Sequence, residues 1–186
     1  MRGAVMSGEF EDEYSATIDE SLTKTDDLRE SSDALLNDTI AALAPAQPLC
    51  LGETSTVHDA VRTMLAHRQA GVLITDGQGR LAGIFTERDV LTRVVGRDLD
   101  ARRTALSEVM TRKPQALTAS DRVAFAIHCM SVAGYRTIPL VDAEGRPIGV
   151  VTVSDVVRWL AGLFPEAVLN LRPGDALKRP HEVDAG

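Results

Sequence analysis

The order of apolar and polar positions divides the chain into an arm and a body. Residues 1–30 mix Glu, Asp, Ser and Thr with scattered apolar residues and keep no period. Such a segment buries too little surface to offset its ordering entropy, so an acidic, disordered arm is expected over 1–31. From Ser32 a helical period sets in. Asp33-Ala34-Leu35-Leu36-Asn37-Asp38-Thr39-Ile40-Ala41-Ala42-Leu43 places Leu36, Ile40 and Leu43 on one stripe, with Ser or Asp available as N-cap. A helix is predicted over 32–44, ended by Ala44-Pro45-Ala46-Gln47-Pro48 and docked on the body or on a partner chain.

The body repeats itself. Shifted by 66 residues, Pro48–Gly96 aligns on Pro114–Gly162 without a gap, and 13 of 49 positions are identical. Composition alone would give roughly 3, so the match marks a duplication. The identities include Asp76/Asp142, Gly79/Gly145, Gly83/Gly149, Thr86/Thr152 and Asp89/Asp155. Each copy opens on a short extended piece (Leu49–Leu51; Gln115–Leu117). A helix follows, with Ser55 or Thr56 and Ser120 or Asp121 as candidate caps, and with Val57, Ala60, Val61 and Met64 recurring as Val123, Ala126, Ile127 and Met130. An apolar run (Val72–Ile74; Ile138–Val141), an Asp-x-x-Gly turn and a second run (Leu81–Phe85; Ile148–Val151) then read as a hairpin. Thr86 or Thr152 caps a closing helix. The fold class expected is α+β: two β-α-β-β-α repeats over 45–105 and 106–165, linked by 97–112, followed by a tail over 166–186. Two copies are too few for a solenoid, so they should pack as a pseudo-twofold pair.

Gly83-Ile84-Phe85-Thr86-Glu87-Arg88-Asp89 and Gly149-Val150-Val151-Thr152-Val153-Ser154-Asp155 carry a common signature, Gly, two apolar residues, Thr, two variable residues and Asp. With Tyr135-Arg136-Thr137-Ile138-Pro139-Leu140-Val141-Asp142 and Val109-Met110-Thr111-Arg112-Lys113-Pro114, the pattern over roughly 48–164 resembles a tandem pair of cystathionine-β-synthase-type (CBS) domains. The resemblance implies a non-enzymatic regulatory module. Such pairs bind an adenosine-containing ligand (AMP, ADP or ATP, less often S-adenosylmethionine or NAD) between the repeats, and signal to a regulated partner protein. The alternative is a ligand-free module that only dimerises or holds a partner.

The residues themselves point the same way. Thr followed three places later by Asp, at a strand-to-helix junction, brings a hydroxyl and a carboxylate together. That carboxylate can accept both hydroxyls of a ribose. The free N–H groups of the helix start suit a phosphate. The same pair is also a capping box that needs no ligand. The copies are unequal. Tyr135-Arg136 in the second stands where the first has Gln69-Ala70, and Arg88 in the first stands where the second has Ser154. An Arg can pair bidentately with phosphate, and Tyr135 can wall a base. The site expected joins Arg136, Tyr135, Thr152 and Asp155, with Arg88 crossing from the other copy. Thr86 and Asp89 form a weaker site because Gln69-Ala70 brings no cation.

Nothing else forms a catalytic constellation, and a stand-alone enzyme is not expected. His58, His67 and His128 lack metal-ligand spacing, and Cys50 and Cys129 make no disulfide framework. Gly77-Gln78-Gly79 is a hairpin turn rather than a dinucleotide fingerprint. Trp159 reads as packing. Charge changes the picture in one respect. Residues 1–44 hold eleven acidic and three basic residues, which accounts for more than the whole net charge of −7. The nearly neutral body and acidic arm are unsuited to nucleic acid. No apolar run reaches the roughly 20 residues of a membrane-spanning helix, and the start shows no secretory signal. A reduced, cytoplasmic setting and a twofold homodimer are expected, the dimer closing over Val90, Leu91, Val94, Val156, Val157 and Leu160.

Overall fold

The computed structural model describes Asp33 and residues 37–163. The acidic arm, Leu36 and the tail lie outside the described residues. The chain divides into two compact units, Met1–Asp38 and Thr39–Gly186. In the first, Asp33 and Asn37 are helical. The second carries both copies of the repeat.

The helix predicted over 32–44 does not run through. Thr39 is extended (φ −90°, ψ 160°), and Ile40–Leu43 forms one 3-10 turn. Thr39 bridges Arg122, and the Ile40 N–H donates to the Asp121 carbonyl at 2.8 Å, so this backbone is spent on the second copy rather than on a helix of its own.

In the first copy β1 (Cys50–Gly52) precedes α1 (Val57–His67), β2 (Gly71–Thr75), β3 (Leu81–Thr86) and α2 (Glu87–Asp89). A π turn, Val90–Val94, and a 3-10 turn, Val95–Arg97, continue the closing segment. The expected linker is structured: it holds α3 (Leu106–Val109) and β4 (Thr111–Arg112). The second copy has α4 (Val123–Ala133), β5 (Thr137–Val141), β6 (Pro147–Thr152) and a regular α5 (Val153–Leu163). The order β1-β2-β3-β4 makes one sheet, and β5-β6 the other. Single bridges, Leu117 to Leu140 and Ala46 to Val150, stand in the second copy where the first has its outer strands.

The repeated identities have local causes. Asp76 Oδ1 accepts the Gln78 and Arg80 N–H groups at 2.8 and 3.0 Å, and Asp142 Oδ1 accepts those of Glu144 and Arg146 at 3.0 and 2.7 Å. Gly79 and Gly145 close these turns at φ of 77° and 79°, where a side chain would be strained. Of the candidate caps, Thr56 is the one that starts α1: its Oγ1 accepts the Asp59 N–H, and its own N–H donates to Asp59 Oδ2. In the second copy neither Ser120 nor Asp121 is the N-cap. Arg122 takes that position, because Asp121 is occupied one turn earlier by the Thr118 N–H and hydroxyl.

Each core is closed by the segment that precedes the other copy. Leu106 and Val109 sit with Val57, Ala60, Val72, Ile74 and Phe85 of the first copy. Ile40 and Leu43 sit with Val123, Ala126, Ile138, Leu140 and Val151 of the second. Ile40 and Leu106 lie one repeat shift apart and are both fully buried. Between the cores Leu73, Ile84 and Val150 pack together, with Ile84 and Val150 again one shift apart. The two copies are thus a pseudo-twofold pair with exchanged lead segments. The closing helices differ from the dimer face expected above: Val94 and Val156 turn into their own cores, and Leu91, Val95 and Val157 face outward.

Candidate functional site

Among the described residues, the crossing of the two copies leaves a larger and a smaller cleft beside the signature residues. The larger encloses about 630 Å³, within the roughly 300–1,000 Å³ usual for small-molecule sites. The first copy lines it with Thr86, Glu87, Arg88, Asp89 and Arg93. The second adds Tyr135, Arg136 and Pro139. The smaller, about 280 Å³, is lined by Arg68, Gln69, Thr152, Ser154 and Asp155 among others.

Arg136 therefore lines the same cleft as the first copy's Thr86 and Asp89, and Thr152 and Asp155 line the other. The sequence reading had grouped Arg136 with its own copy's signature. The physical reason is the pseudo-twofold crossing, which sets the loop before one hairpin against the closing helix of the other copy. Backbone bonds tie each loop to the start of its own copy's closing helix: the Glu87 N–H donates to the Ala70 carbonyl at 3.0 Å, and the Val153 N–H to the Arg136 carbonyl at 3.2 Å. The smaller cleft also has a cation that sequence reasoning missed. Arg68 ends α1 in the left-handed region (φ 53°), one residue before the pair compared with Tyr135-Arg136, and faces that cleft.

Both signature aspartates are buried, with relative exposures of 8% and 9%. One oxygen of each is used in the capping box. Asp89 Oδ2 accepts the Thr86 N–H and hydroxyl at 2.9 and 2.8 Å, and Asp155 Oδ2 accepts those of Thr152 at 2.8 and 2.7 Å. The capping reading is thus correct for both. It does not exhaust the carboxylate, because a carboxylate has about four acceptor positions. The second oxygens face guanidinium groups: Arg93 Nε lies 3.2 Å from Asp89 Oδ1, and Arg158 Nη1 lies 3.0 Å from Asp155 Oδ1. Neither arginine was singled out from sequence. Their spacing, four residues in one copy and three in the other, is the signal that could have found them.

Arg88 and Arg136 are exposed and have no ion-pair partner among the described residues. Tyr135 is 41% exposed at the rim. Cys129 is buried against Gln115, whose Nε2 lies 3.2 Å from its Sγ; Cys50 is exposed as a residue, and partial desolvation of its thiol pushes its pKa up. Trp159 packs on the second core. Among the described residues, no helix is long and apolar enough to cross a membrane.

Comparison with known proteins places this geometry. The family model described as the CBS domain matches residues 40–96 and 106–162. The CBS domain-containing protein CBSCBSPB2 of Arabidopsis thaliana is 31% identical over 173 residues, covering 93% of this chain. The match spans 32% of that relative, so the chain corresponds to about a third of its length. The solved CBS-domain containing protein ATU1752 from Agrobacterium tumefaciens is 27% identical with a TM-score of 0.55, over 61% of this chain and 88% of that one. The CBS domain protein PAE2072 from Pyrobaculum aerophilum, complexed with AMP, is 23% identical with a TM-score of 0.60, over 70% and 95%.

Proposed function

Because the chain belongs to the CBS-domain family, we propose that it is a regulatory module without chemistry of its own. It takes an adenosine-containing ligand of the AMP, ADP or ATP class in the larger cleft and signals occupancy to a partner protein. One observation carries this reading: a buried carboxylate, Asp89, shares that cleft with two guanidinium groups, Arg88 and Arg136, that have no ion-pair partner among the described residues. A ribose diol needs an acceptor, and a phosphate needs planar, paired donors. Tyr135, Ile84 and Pro139 supply the apolar wall for a base. Two cations suit a phosphate better than the sulfonium of S-adenosylmethionine, and the AMP held by PAE2072 fits the same choice. The exposed Leu91, Val95 and Val157 offer a face for a twofold homodimer.

Calorimetry with AMP, ADP, ATP, S-adenosylmethionine and NAD tests this. Asp89→Ala should weaken AMP by about 10- to 150-fold, the loss of charge-assisted bonds of about 1.5–3 kcal/mol. Asp155→Ala should leave AMP nearly unaffected. Arg136→Ala should weaken AMP more than adenosine, which has no phosphate to pair. Melting temperatures of the same variants separate cap loss from ligand loss. A folded parent chain that no nucleotide stabilises would instead be the ligand-free interaction module.

A further inference from the structure

Arg93 stands between the larger cleft and the segment that joins the two copies. Its Nε lies 3.2 Å from Asp89 Oδ1, and its Nη1 donates to the Val109 carbonyl at 2.9 Å. Asp89 Oδ2 already accepts two bonds from Thr86, so Oδ1, which Arg93 already uses, is the oxygen left for a ligand hydroxyl. Val109 is the last residue of α3. Its side chain and that of Leu106 are buried in the first core, and Thr111, two residues on, lines the cleft. One guanidinium therefore touches the cleft carboxylate and the end of the linker helix together.

The second copy has no such arrangement. Arg158 Nη1 binds Asp155 Oδ1 at 3.0 Å, its side chain is 73% exposed against 34% for Arg93, and it makes no backbone bond among the described residues. The backbone around the two arginines differs as well. Arg158 lies in regular α5, whereas Arg93 lies in the π turn Val90–Val94. A π turn closes i to i+5 and is wider than an α turn, and such turns concentrate at functional sites.

We propose that Arg93 is a positioning residue that couples occupancy of the larger cleft to the linker between the copies. With the cleft empty, Asp89 anchors Arg93 and Arg93 caps the Val109 carbonyl. A ligand hydroxyl on Asp89 Oδ1 shares that oxygen with Arg93 and weakens the anchor. The bond to Val109 then loosens, and the end of α3 with β4 is held less tightly. The ligand step rests on the function proposed above; the coupling of Asp89 to the linker does not.

A mutant cycle read by amide hydrogen exchange at Val109–Arg112 separates the two. Without ligand, Asp89→Asn and Arg93→Met should each speed exchange at Met110, whose N–H donates to the Leu106 carbonyl at 2.8 Å. The expected change is about three- to tenfold, the size of one lost hydrogen bond. The double variant should be no faster than Arg93→Met alone. If Asp89→Asn leaves Met110 unchanged, or the two effects simply add, the coupling is refuted. AMP should speed the same amides in the parent and not in Arg93→Met, with calorimetry confirming that both chains bind it. An equal AMP response in the two chains also overturns the proposal. If AMP fails to bind the parent, the ligand reading falls and the cycle still decides the coupling. Should Arg93→Met not fold, Arg93→Lys serves: it keeps a charge for Asp89, lacks the fork that also reaches Val109, and should bind AMP without moving Met110.

Discussion

The two copies share a backbone plan and differ in how tightly each is finished. The first has a four-stranded sheet, a capped opening helix and a closing segment that passes from α to π to 3-10 geometry. The second keeps two strands, lacks a side-chain cap hydrogen bond on its opening helix and closes on eleven residues of regular helix. The irregular helix borders the larger cleft and the regular one the smaller. Duplication supplied two equal scaffolds, and the departure in the closing segment borders the larger cleft. Even a small departure is visible at the junction: the Leu81 N–H donates to the Gly145 carbonyl at 2.9 Å, and the equivalent position in the second copy is Pro147, which has no N–H to return the bond.

The largest test of this comparison is the exchange of lead segments. Ile40→Ala and Leu106→Ala each remove a fully buried side chain. Each should cost about 2–5 kcal/mol. The location of the damage is the sharper readout. Ile40→Ala should speed hydrogen exchange in α4, β5 and β6, the copy it does not precede, and Leu106→Ala should do so in α1, β2 and β3. Loosening confined to the copy that follows each residue in sequence would break the exchanged arrangement.

The hairpins, opening helices and signature residues were legible because their causes are local. Asp-x-x-Gly turns, helical apolar spacing and a Thr-x-x-Asp cap act over a few residues, and the duplication showed each of them twice. The assembly of the clefts was not legible in the same way. Arg136 is 16 residues upstream of Thr152 and 50 downstream of Thr86, and it shares the larger cleft with the more distant one. Only the crossing of the copies decides that, and no local pattern encodes it. Ile40 and Leu43 show the same limit. Their spacing fits a helical stripe expected to dock on the body or on a partner chain, but nothing local marks the second core as what they dock on. The extended match of 40–43 on 106–109 was available at the same shift of 66, hidden because its apolar pairs, Ile40/Leu106 and Leu43/Val109, are similar rather than identical.

A glycine pair gives an effect of intermediate size. A Cβ on Gly83 would run into Met110 Sδ and meet the Thr111 carbonyl oxygen at 3.0 Å, because β4 lies directly against β3 there. At Gly149 the nearest atoms are the Ala46 carbonyl oxygen and Leu140 Cδ1, both at 3.4 Å, an ordinary contact. Gly83→Ala should therefore destabilise by about 1–3 kcal/mol through overpacking. Gly149→Ala should cost less, since only a single bridge covers it. Denaturant midpoints measured with constant slope check both. Equal losses would mean that the second sheet is as closely covered as the first.

The smallest effect belongs to the opening helices and depends on pH. The hydroxyl and N–H of Thr56 hold the Asp59 carboxyl below its usual range. A carboxyl lowered in the folded state binds its proton less readily there than in the unfolded chain. Its contribution is complete above the unfolded value and is lost as pH falls through the folded one. Acidification across the carboxylate range should thus lower the protection of the first-turn amides of α1, read against the intrinsic exchange rate at each pH. Asp59→Asn should abolish that dependence at those amides, because no group at that position then titrates. In α4 the equivalent third position is Phe125, so its first turn has no matching carboxylate. If α1 and α4 respond to acid alike, and Asp59→Asn does not separate them, the capping difference between the two copies has no thermodynamic weight.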